Sequence, residues 1–486
     1  MVRPANNYGT FRTRDERDAA ERAAQDPEAP EVPPAPPIGP QRIAEEARPP
    51  VGGLVVLGVV AAAVYGGLVA YFMTWNDFDV WGALVVVPVL VAITLPLLLR
   101  LGARYGDSTL TLLLLAGLLL KFVAGVARWY VGAEIYGGSM DAAGYIGRGE
   151  DLAEQFRAGD FDVGWGTEEI GTLYQRRITG LIMMVIGPTY FGTWMVYAWM
   201  GYLGLLGWFA ALATAVPGAN LRRYAALLMF LPSMLYWPAS VGKEAWMMLT
   251  LGLATYGAAR LLTRQAGALP LLALGLLGAS LVRPHMALLL VVATTLALAL
   301  RRPSQRGLEA LLGPIPKLVL VGLLAVASVV ALVQVEEYFG VEDDPEQILD
   351  DTEDQTTTGG SSFEAARVRT PIDVPWAAVT VTMRPFPWEG HNLQARLLGL
   401  EGLLLAGLIA VSWRRLRAIP QLVRDTPWVA LAVIYAGMFI VAFSTFGNFG
   451  IIARQRVQML PFVLALLCLP LAARKIRERH DARNYT

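Results

Sequence analysis

The sequence predicts an all-α fold, a polytopic helical membrane protein with about twelve transmembrane helices and interfacial helices in two long outer loops. Of its 486 residues 55% are hydrophobic and only 16% are charged, with a mean hydropathy of +0.47, whereas soluble globular domains carry about 25% charged residues. Apolar runs of membrane length recur along the chain, and arginines cluster in alternate connections between them. This composition excludes a water-soluble enzyme of this size.

The two ends of the chain differ from the middle in composition. Residues 1–50 are rich in proline, arginine and acidic residues, so they cannot bury a core and should form a disordered cytoplasmic tail. They lack a short apolar segment with a cleavage site, which predicts no signal peptide. A polytopic transmembrane domain should cover residues 51–473, and residues 474–486 should form a basic cytoplasmic tail. Cys468 stands alone, so no internal disulfide can form.

Ten apolar runs have the length of a membrane span. They lie at about 54–73, 81–99, 109–131, 189–214, 224–241, 245–262, 316–335, 393–412, 428–446 and 457–473. The stretch 268–300 is interrupted at Pro284, which predicts two short spans at 268–282 and 286–300. Residues 178–188 end at a Gly-Pro pair, which predicts an interfacial helix.

The positive-inside rule predicts that both termini are cytoplasmic. Pairs such as Arg222-Arg223 and Arg414-Arg415 then lie inside. Two long loops, at about 132–188 and 336–392, then lie outside. The second begins with an acidic, low-complexity segment, which we interpret as a solvated loop, with weak calcium binding as the alternative.

Asp141 is the first candidate functional residue. It occupies a predicted helix N-cap position. The helix after it carries Tyr145, Leu152 and Phe156, which are spaced to lie on a membrane surface. The spacing alone leaves both a capping and a functional role open.

Two further clusters occupy predicted outer turns. Lys243 and Glu244 begin a helix, where they would be either interfacial charges or part of an anion site. Arg283 and His285 form the tip of the short hairpin. Because spans of about fifteen residues do not cross a ~30 Å core, the tip should lie below the surface and require polar partners.

A fourth cluster lies in the segment 382–396, where two prolines forbid a regular helix. It contains Arg384, Glu389 and His391, more ionisable groups than an interfacial turn requires, which favours a functional role. A fifth cluster, at the outer end of the last span, contains Arg454 and Arg456. Guanidinium groups bind phosphate oxygens bidentately, which would explain arginines on the side that the positive-inside rule disfavours.

Two charged residues are predicted within the membrane itself. Lys121 lies mid-way along the third span and Glu401 mid-way along the tenth. Each alone costs about 2.5–3.5 kcal/mol on insertion scales. We therefore predict that the two form a structural intramembrane pair.

Together these features resemble the GT-C superfamily, integral-membrane glycosyltransferases that use polyprenyl-phosphate-linked sugars. The matching features are Asp141, the helix 141–158, the interfacial helix 178–188 and the span 189–214, although the acidic loop here follows the third span instead of the first. The segments SVGKEAW, LVRPH, RPFPWE and GNFGIIARQR also resemble those of uncharacterised bacterial membrane proteins associated with surface polysaccharides.

The resemblance implies sugar transfer or polymerisation at the outer face of the bacterial cytoplasmic membrane, from a polyprenyl-(pyro)phosphate donor to a glycan or lipid-linked acceptor. Asp141 would be the general base. The substrate-binding candidates are Lys243, Glu244, Arg283, His285, Arg384, Glu389, His391, Arg454 and Arg456. Membrane lipids are expected partners and nucleic acid is not. The residues identify no cofactor with certainty, and a divalent cation, Mg²⁺ or Mn²⁺, stays an open alternative.

Two other functions are compatible with the same residues. One is an O-antigen-type polymerase or ligase, which needs the arginines but no aspartate base. The other is a non-enzymatic transporter or flippase of lipid-linked glycans. Against the transporter, the polar clusters lie on one predicted side, with no inverted repeat for alternating access.

Overall fold

The structure is a computed structural model that describes residues 51–135, 137–138, 140–162, 170–302, 315–339, 362–390 and 392–471. The predicted tails, residues 340–361 of the predicted acidic segment 336–362, and His391 lie outside these residues. Within them the chain is helical, and the only extended pairing is an isolated bridge between Ser362 and Asn448. The predicted all-α class is confirmed.

The α-helices of the described residues follow in chain order. They are α1 (Val51–Trp75), α2 (Phe78–Tyr105), α3 (Ser108–Tyr130), α4 (Asp141–Arg157), α5 (Ile170–Ile186), α6 (Tyr190–Ala215), α7 (Leu221–Phe230), α8 (Pro232–Tyr236), α9 (Lys243–Leu262), α10 (Ala268–Ser280), α11 (Pro284–Leu300), α12 (Ile315–Phe339), α13 (Val374–Met383), α14 (Leu393–Val411), α15 (Trp413–Leu416), α16 (Ile419–Asp425), α17 (Pro427–Phe443), α18 (Phe449–Gln455) and α19 (Leu460–Leu466). A π-helical turn, Val131–Ile135, extends α3, and 3₁₀ turns occupy Trp237–Ala239, Pro371–Asp373 and Arg456–Gln458.

Four of the described helices are long and apolar enough to cross a membrane. They are α2, α3 with its π-helical extension, α6 and α14. A bent pair, Phe449–Gln458 with Leu460–Leu466 at 59°, would make a fifth. Of the other predicted spans, 224–241 is interrupted, and those at 268–282, 286–300 and 428–446 correspond to apolar helices of 13, 17 and 17 residues. These lengths are compatible with a membrane protein, as the sequence predicts.

The chain divides into two compact units within α1, at Gly66, and all contacts described below belong to the second unit, Gly67–Thr486. Its centre is α6 packed on α9, and α9 packed on α10. Glycines permit this close approach: a Cβ at Gly207 would lie 2.7 Å from the backbone of Gly252. Small residues at such crossings allow membrane helices to pack backbone to backbone.

The predicted span 224–241 is interrupted. α7 ends at Phe230, α8 begins at Pro232, and the chain then passes through a 3₁₀ turn to α9. Proline at the first position of α8 has no N–H to donate, so the α7 hydrogen-bond pattern cannot continue through it. Because the whole stretch is apolar, its composition does not indicate the break.

Lys121 and Glu401 contact the interrupted segment instead of each other, which corrects the predicted intramembrane pair. Lys121 Nζ donates to the carbonyl oxygens of Met234 (2.7 Å) and Leu235 (3.0 Å). Glu401 Oε2 accepts from the backbone N–H of Ser233 at 2.8 Å and from its hydroxyl at 2.9 Å. Each charge therefore satisfies backbone groups at the break, which a membrane interior could not solvate.

The helix α4 is present as predicted, but its apolar face is covered by protein. Tyr145, Leu152 and Phe156 are buried against α5 and do not form a surface that lies on a membrane. A Cβ at Gly149 would lie 2.7 Å from the side chain of Thr179, which shows how closely α4 and α5 approach. α5 also begins earlier than the predicted interfacial helix 178–188.

The segments that connect the helices lie at two ends of the second unit. The helices α3, α9 and α17 each run from one of these ends to the other. The first, the arginine end, comprises 99–108, 216–223, 260–267, 300–302 and 412–426. Its basic residues are Arg100, Arg104, Arg222, Arg223, Arg260, Arg264, Arg301, Arg302, Arg414, Arg415, Arg417 and Arg424. Contacts tie these connections together, for example Arg222 to Asp107 at 2.5 Å and Arg223 to Ser412 at 2.7 Å. The second, the Asp141 end, holds the five predicted clusters.

Candidate functional site

Asp141 and Arg454 form the exposed part of the site. Met140 occupies the N-cap of α4, so Asp141 is the first helical residue and not the predicted cap. Asp141 Oδ2 lies 3.5 Å from Arg454 Nη1, and the side chains are 74% and 36% exposed. Arg454 Nε is anchored by the carbonyl oxygen of Gly450 at 3.2 Å. An exposed ion pair contributes little to stability, so both groups can exchange this contact for a ligand at small cost.

Glu244 and Arg283 form a second, buried ion pair close to the first. Arg283 Nη2 donates to Glu244 Oε1 at 2.8 Å, and the side chains are 8% and 13% exposed. Arg283 immediately precedes α11 and Glu244 lies in the first turn of α9. The tip at Arg283 is therefore buried within the protein and has an acidic partner. Arg283 Nη1 is buried and makes no hydrogen bond within the described residues.

A hydrogen-bonded chain lies beside these two ion pairs and includes Thr172, which the sequence did not single out as functional. Lys243 Nζ donates to the hydroxyl of Thr172 at 3.1 Å, and Thr172 also hydrogen-bonds the Tyr145 hydroxyl. Burial raises the pKa of Tyr145 to about 12, and the negative charges of Asp141 and Glu244 add to the effect. Tyr145 is therefore a neutral hydrogen-bonding group at physiological pH.

His285 lies in the first turn of α11, beside the buried ion pair. The positive charges of Arg283 and Lys243 act on its ring, and the ring centroid lies 6.4 Å from that of Phe443. The structure therefore places His285 with Lys243, Glu244 and Arg283, as one group with Asp141 and Arg454.

Arg384 and Glu389 bind each other within the loop between α13 and α14. Arg384 Nη2 lies 3.1 Å from Glu389 Oε1, and Glu389 Oε2 accepts from the N–H of Phe386 at 2.8 Å. Arg384 Nη1 donates to the carbonyl of Glu364 at 3.0 Å, and its guanidinium lies over the ring of Phe363 at 4.6 Å. Both residues were predicted to bind substrate, but in this arrangement their charged groups fix the loop.

Arg456, a predicted substrate-binding residue, is wholly buried and its guanidinium group contacts the protein. Its Nη1 donates to the carbonyl oxygens of Thr382 (3.1 Å) and Arg384 (2.6 Å). Its Nη2 lies 4.0 Å from Glu401 Oε1, and neither side chain has exposed surface. Arg456 therefore ties the loop after α13 to Glu401, and through Glu401 to the interrupted segment at Ser233.

For the divalent cation that the sequence left as an open alternative, the described part of the chain offers no set of ligands. No group of three or more His, Cys, Asp or Glu side chains is suited to a metal there. Glu389 is occupied by Arg384, His285 has two cations as neighbours, and His391 lies outside the described residues. The described residues thus offer no fit to Mg²⁺ or Mn²⁺.

The comparisons with known proteins assign no family. No family model, no curated protein and no solved structure matches the chain. A functional assignment therefore depends on the chemistry of the Asp141 group. That group combines three cations, Lys243, Arg283 and Arg454, with two carboxylates. It offers an accessible proton acceptor beside groups that can hold an anion.

Proposed function

We propose that the protein is a GT-C-like membrane glycosyltransferase of cell-surface polysaccharide synthesis. It would transfer or polymerise sugars from a polyprenyl-(pyro)phosphate donor to a glycan or lipid-linked acceptor. The observation that carries the proposal is the accessible carboxylate of Asp141, 3.5 Å from the partly exposed guanidinium of Arg454 and next to the buried Glu244–Arg283 pair. Glycosyl transfer from a phosphate-linked donor requires both a base for the acceptor hydroxyl and a group that binds the departing phosphate.

In the proposed reaction the acceptor hydroxyl donates its proton to Asp141 as its oxygen attacks the anomeric carbon of the donor sugar. The bond between that carbon and the phosphate oxygen breaks, and the electron pair remains on the phosphate. Arg454 stabilises the developing negative charge. When Arg454 turns to the phosphate it releases Asp141, so binding of the donor would free the base.

We further propose twelve crossings of the bacterial cytoplasmic membrane, with both termini in the cytoplasm. The arginine end would then face the cytoplasm, as the positive-inside rule requires, and the Asp141 end would face outwards. The grouping of the arginine-rich connections at one end of the described residues supports this orientation. The donor would reach the outward end from the surrounding bilayer.

Product formation from a labelled lipid-linked sugar by the purified protein in detergent tests the proposal. Wild-type protein should yield elongated or transferred glycan, and Asp141→Asn should yield almost none. Undiminished product from Asp141→Asn would favour the polymerase or ligase, which needs no aspartate base. Absence of product from wild-type protein, together with movement of the lipid-linked sugar across reconstituted vesicles, would favour the transporter.

A further inference from the structure

The arginine end carries an excess of positive charge that the glycosyltransferase proposal does not use. Its twelve arginines face only two described carboxylates, Asp107 and Asp425. Asp107 pairs with Arg222 at 2.5 Å, and Asp425 lies 3.8 Å from Arg302. Arg414 and Arg417 make no ion pair with any carboxylate of the described residues. Their surface should therefore attract an anion.

The connection that follows α14 joins this positive charge to an apolar surface. Val411, the last residue of α14, is 80% exposed, and Trp413 is 56% exposed. The guanidinium of Arg417 lies 5.0 Å from the centre of the Trp413 ring, and Arg414 is also exposed. Arg415 differs from both, because it donates to the carbonyl of Leu469 in the protein.

The apolar surface extends along the whole of α14. Leu397, Leu400, Leu404 and Val411 are all exposed and recur every three, four or seven residues, so they lie on one side of the helix. α14 is long and apolar enough to cross a membrane. Arg414 follows Val411 by three residues, in the short helix α15. The exposed apolar side of α14 therefore ends near Arg414, whose guanidinium group has no acidic partner within the described residues.

We propose that this surface binds an anionic glycerophospholipid, with the phosphate held by Arg414 and Arg417 and an acyl chain along the exposed side of α14. Guanidinium groups bind phosphate oxygens with two parallel hydrogen bonds. Tryptophan is favoured at the boundary between headgroups and hydrocarbon, where Trp413 would lie. A free phosphate ion would use the arginines but not the apolar stripe, and the combination therefore selects a lipid. No residue of the Asp141 group takes part.

Thermal unfolding of the purified full-length protein in detergent tests the lipid site. Phosphatidylglycerol should raise the Tm more than the same amount of phosphatidylcholine, and high salt should weaken the difference. The double variant Arg414→Gln/Arg417→Gln should need a roughly tenfold or greater concentration of phosphatidylglycerol for half-maximal stabilisation, because each basic residue near an anionic lipid contributes about 1 kcal/mol.

The double variant Arg148→Gln/Arg369→Gln is the matched control. It removes two exposed arginines from the Asp141 end and should respond to phosphatidylglycerol as the wild type does. Equal responses of the two double variants, or equal effects of phosphatidylglycerol and phosphatidylcholine on the wild type, would overturn the inference. Stabilisation by inorganic phosphate that matches that by phosphatidylglycerol would show a simple anion site and would overturn the lipid assignment.

Discussion

Exposure separates the candidate charged residues into two kinds. Asp141 and Arg454 contact each other at the surface, where water competes with the ion pair and a ligand can replace either partner. Arg384 and Arg456 instead direct their guanidinium groups at carbonyl oxygens of the protein. An arginine anchored in this way on backbone carbonyls contributes to the structure of the loop that it contacts. The sequence placed all of these residues together but could not distinguish the two kinds, because both occur in the same polar segments.

Asp141→Asn tests the general base. The amide keeps the size of the carboxylate but does not accept a proton, so glycan transfer should fall roughly 10²–10⁴-fold. Turnover of labelled lipid-linked sugar measures the loss. Asp151→Asn is the control, because Asp151 lies on the same helix in an equally exposed ion pair with Arg148. It should keep wild-type turnover. Wild-type turnover of Asp141→Asn would remove Asp141 from the mechanism.

Arg454→Lys and Arg384→Lys should have different consequences. At Arg454 a lysine keeps the charge but loses the bidentate grip on phosphate, so turnover should fall roughly tenfold or more with an unchanged Tm. At Arg384 a lysine cannot hold both Glu389 and the carbonyl of Glu364, which should lower the free energy of unfolding by about 1–3 kcal/mol. Assays of turnover and thermal unfolding on the same preparations check both. A stable but inactive Arg384→Lys would return Arg384 to the substrate site.

Among the elements, the helices were easier to predict than their breaks and partners. Apolar runs located α2, α3, α6 and α14 closely, because a membrane span must be both long and apolar. The break at Pro232 was missed, since the residues around it are as apolar as an unbroken span. The apolar face of α4 was correctly identified, but the spacing of its residues cannot reveal whether lipid or α5 covers it. Neighbouring helices are a tertiary property, which hydropathy along one chain does not contain.

The interrupted segment gives a test of the roles of Lys121 and Glu401. Lys121→Met would leave the carbonyls of Met234 and Leu235 without their donor, at a cost of about 1–3 kcal/mol. Because Lys121 and Glu401 do not bind each other, the exchange Lys121→Glu/Glu401→Lys should be at least as unstable as either single change. Thermal unfolding in detergent compares Lys121→Met, the two single exchanges and the double exchange with the wild type. Recovery of wild-type stability by the exchange would restore the direct pair that the sequence suggested.

At the scale of the whole molecule, the charges of the described residues are sorted between two ends. The arginine end holds twelve arginines and two carboxylates, whereas the other described residues hold twelve arginines and sixteen carboxylates, among them both carboxylate–arginine pairs of the candidate site. The sequence suggested this sorting from the alternation of basic connections, which depends only on the order of the spans. It could not give the distances within the Asp141 group, since those depend on how α4, α9, α11 and α18 pack.

Orientation in the membrane can be tested at both ends, because the proposed reaction requires the Asp141 end to face outwards. Single cysteines at Gly144 and Gln421, in a Cys468→Ser background, report the two ends. Gly144 is exposed on α4, where a Cβ would meet only open space, and Gln421 is exposed on α16 at the arginine end. In intact cells an impermeant thiol reagent should label the cysteine at Gly144 and not the one at Gln421, which should react only after permeabilisation. The positive-inside rule gives the reason, since arginine-rich connections are retained in the cytoplasm.

The Cys468→Ser parent is the control and should stay unlabelled in both states. Labelling at Gln421 in intact cells would place the arginine end outside and the Asp141 group in the cytoplasm, where an enzyme of outer-face polysaccharide synthesis could not reach its acceptor.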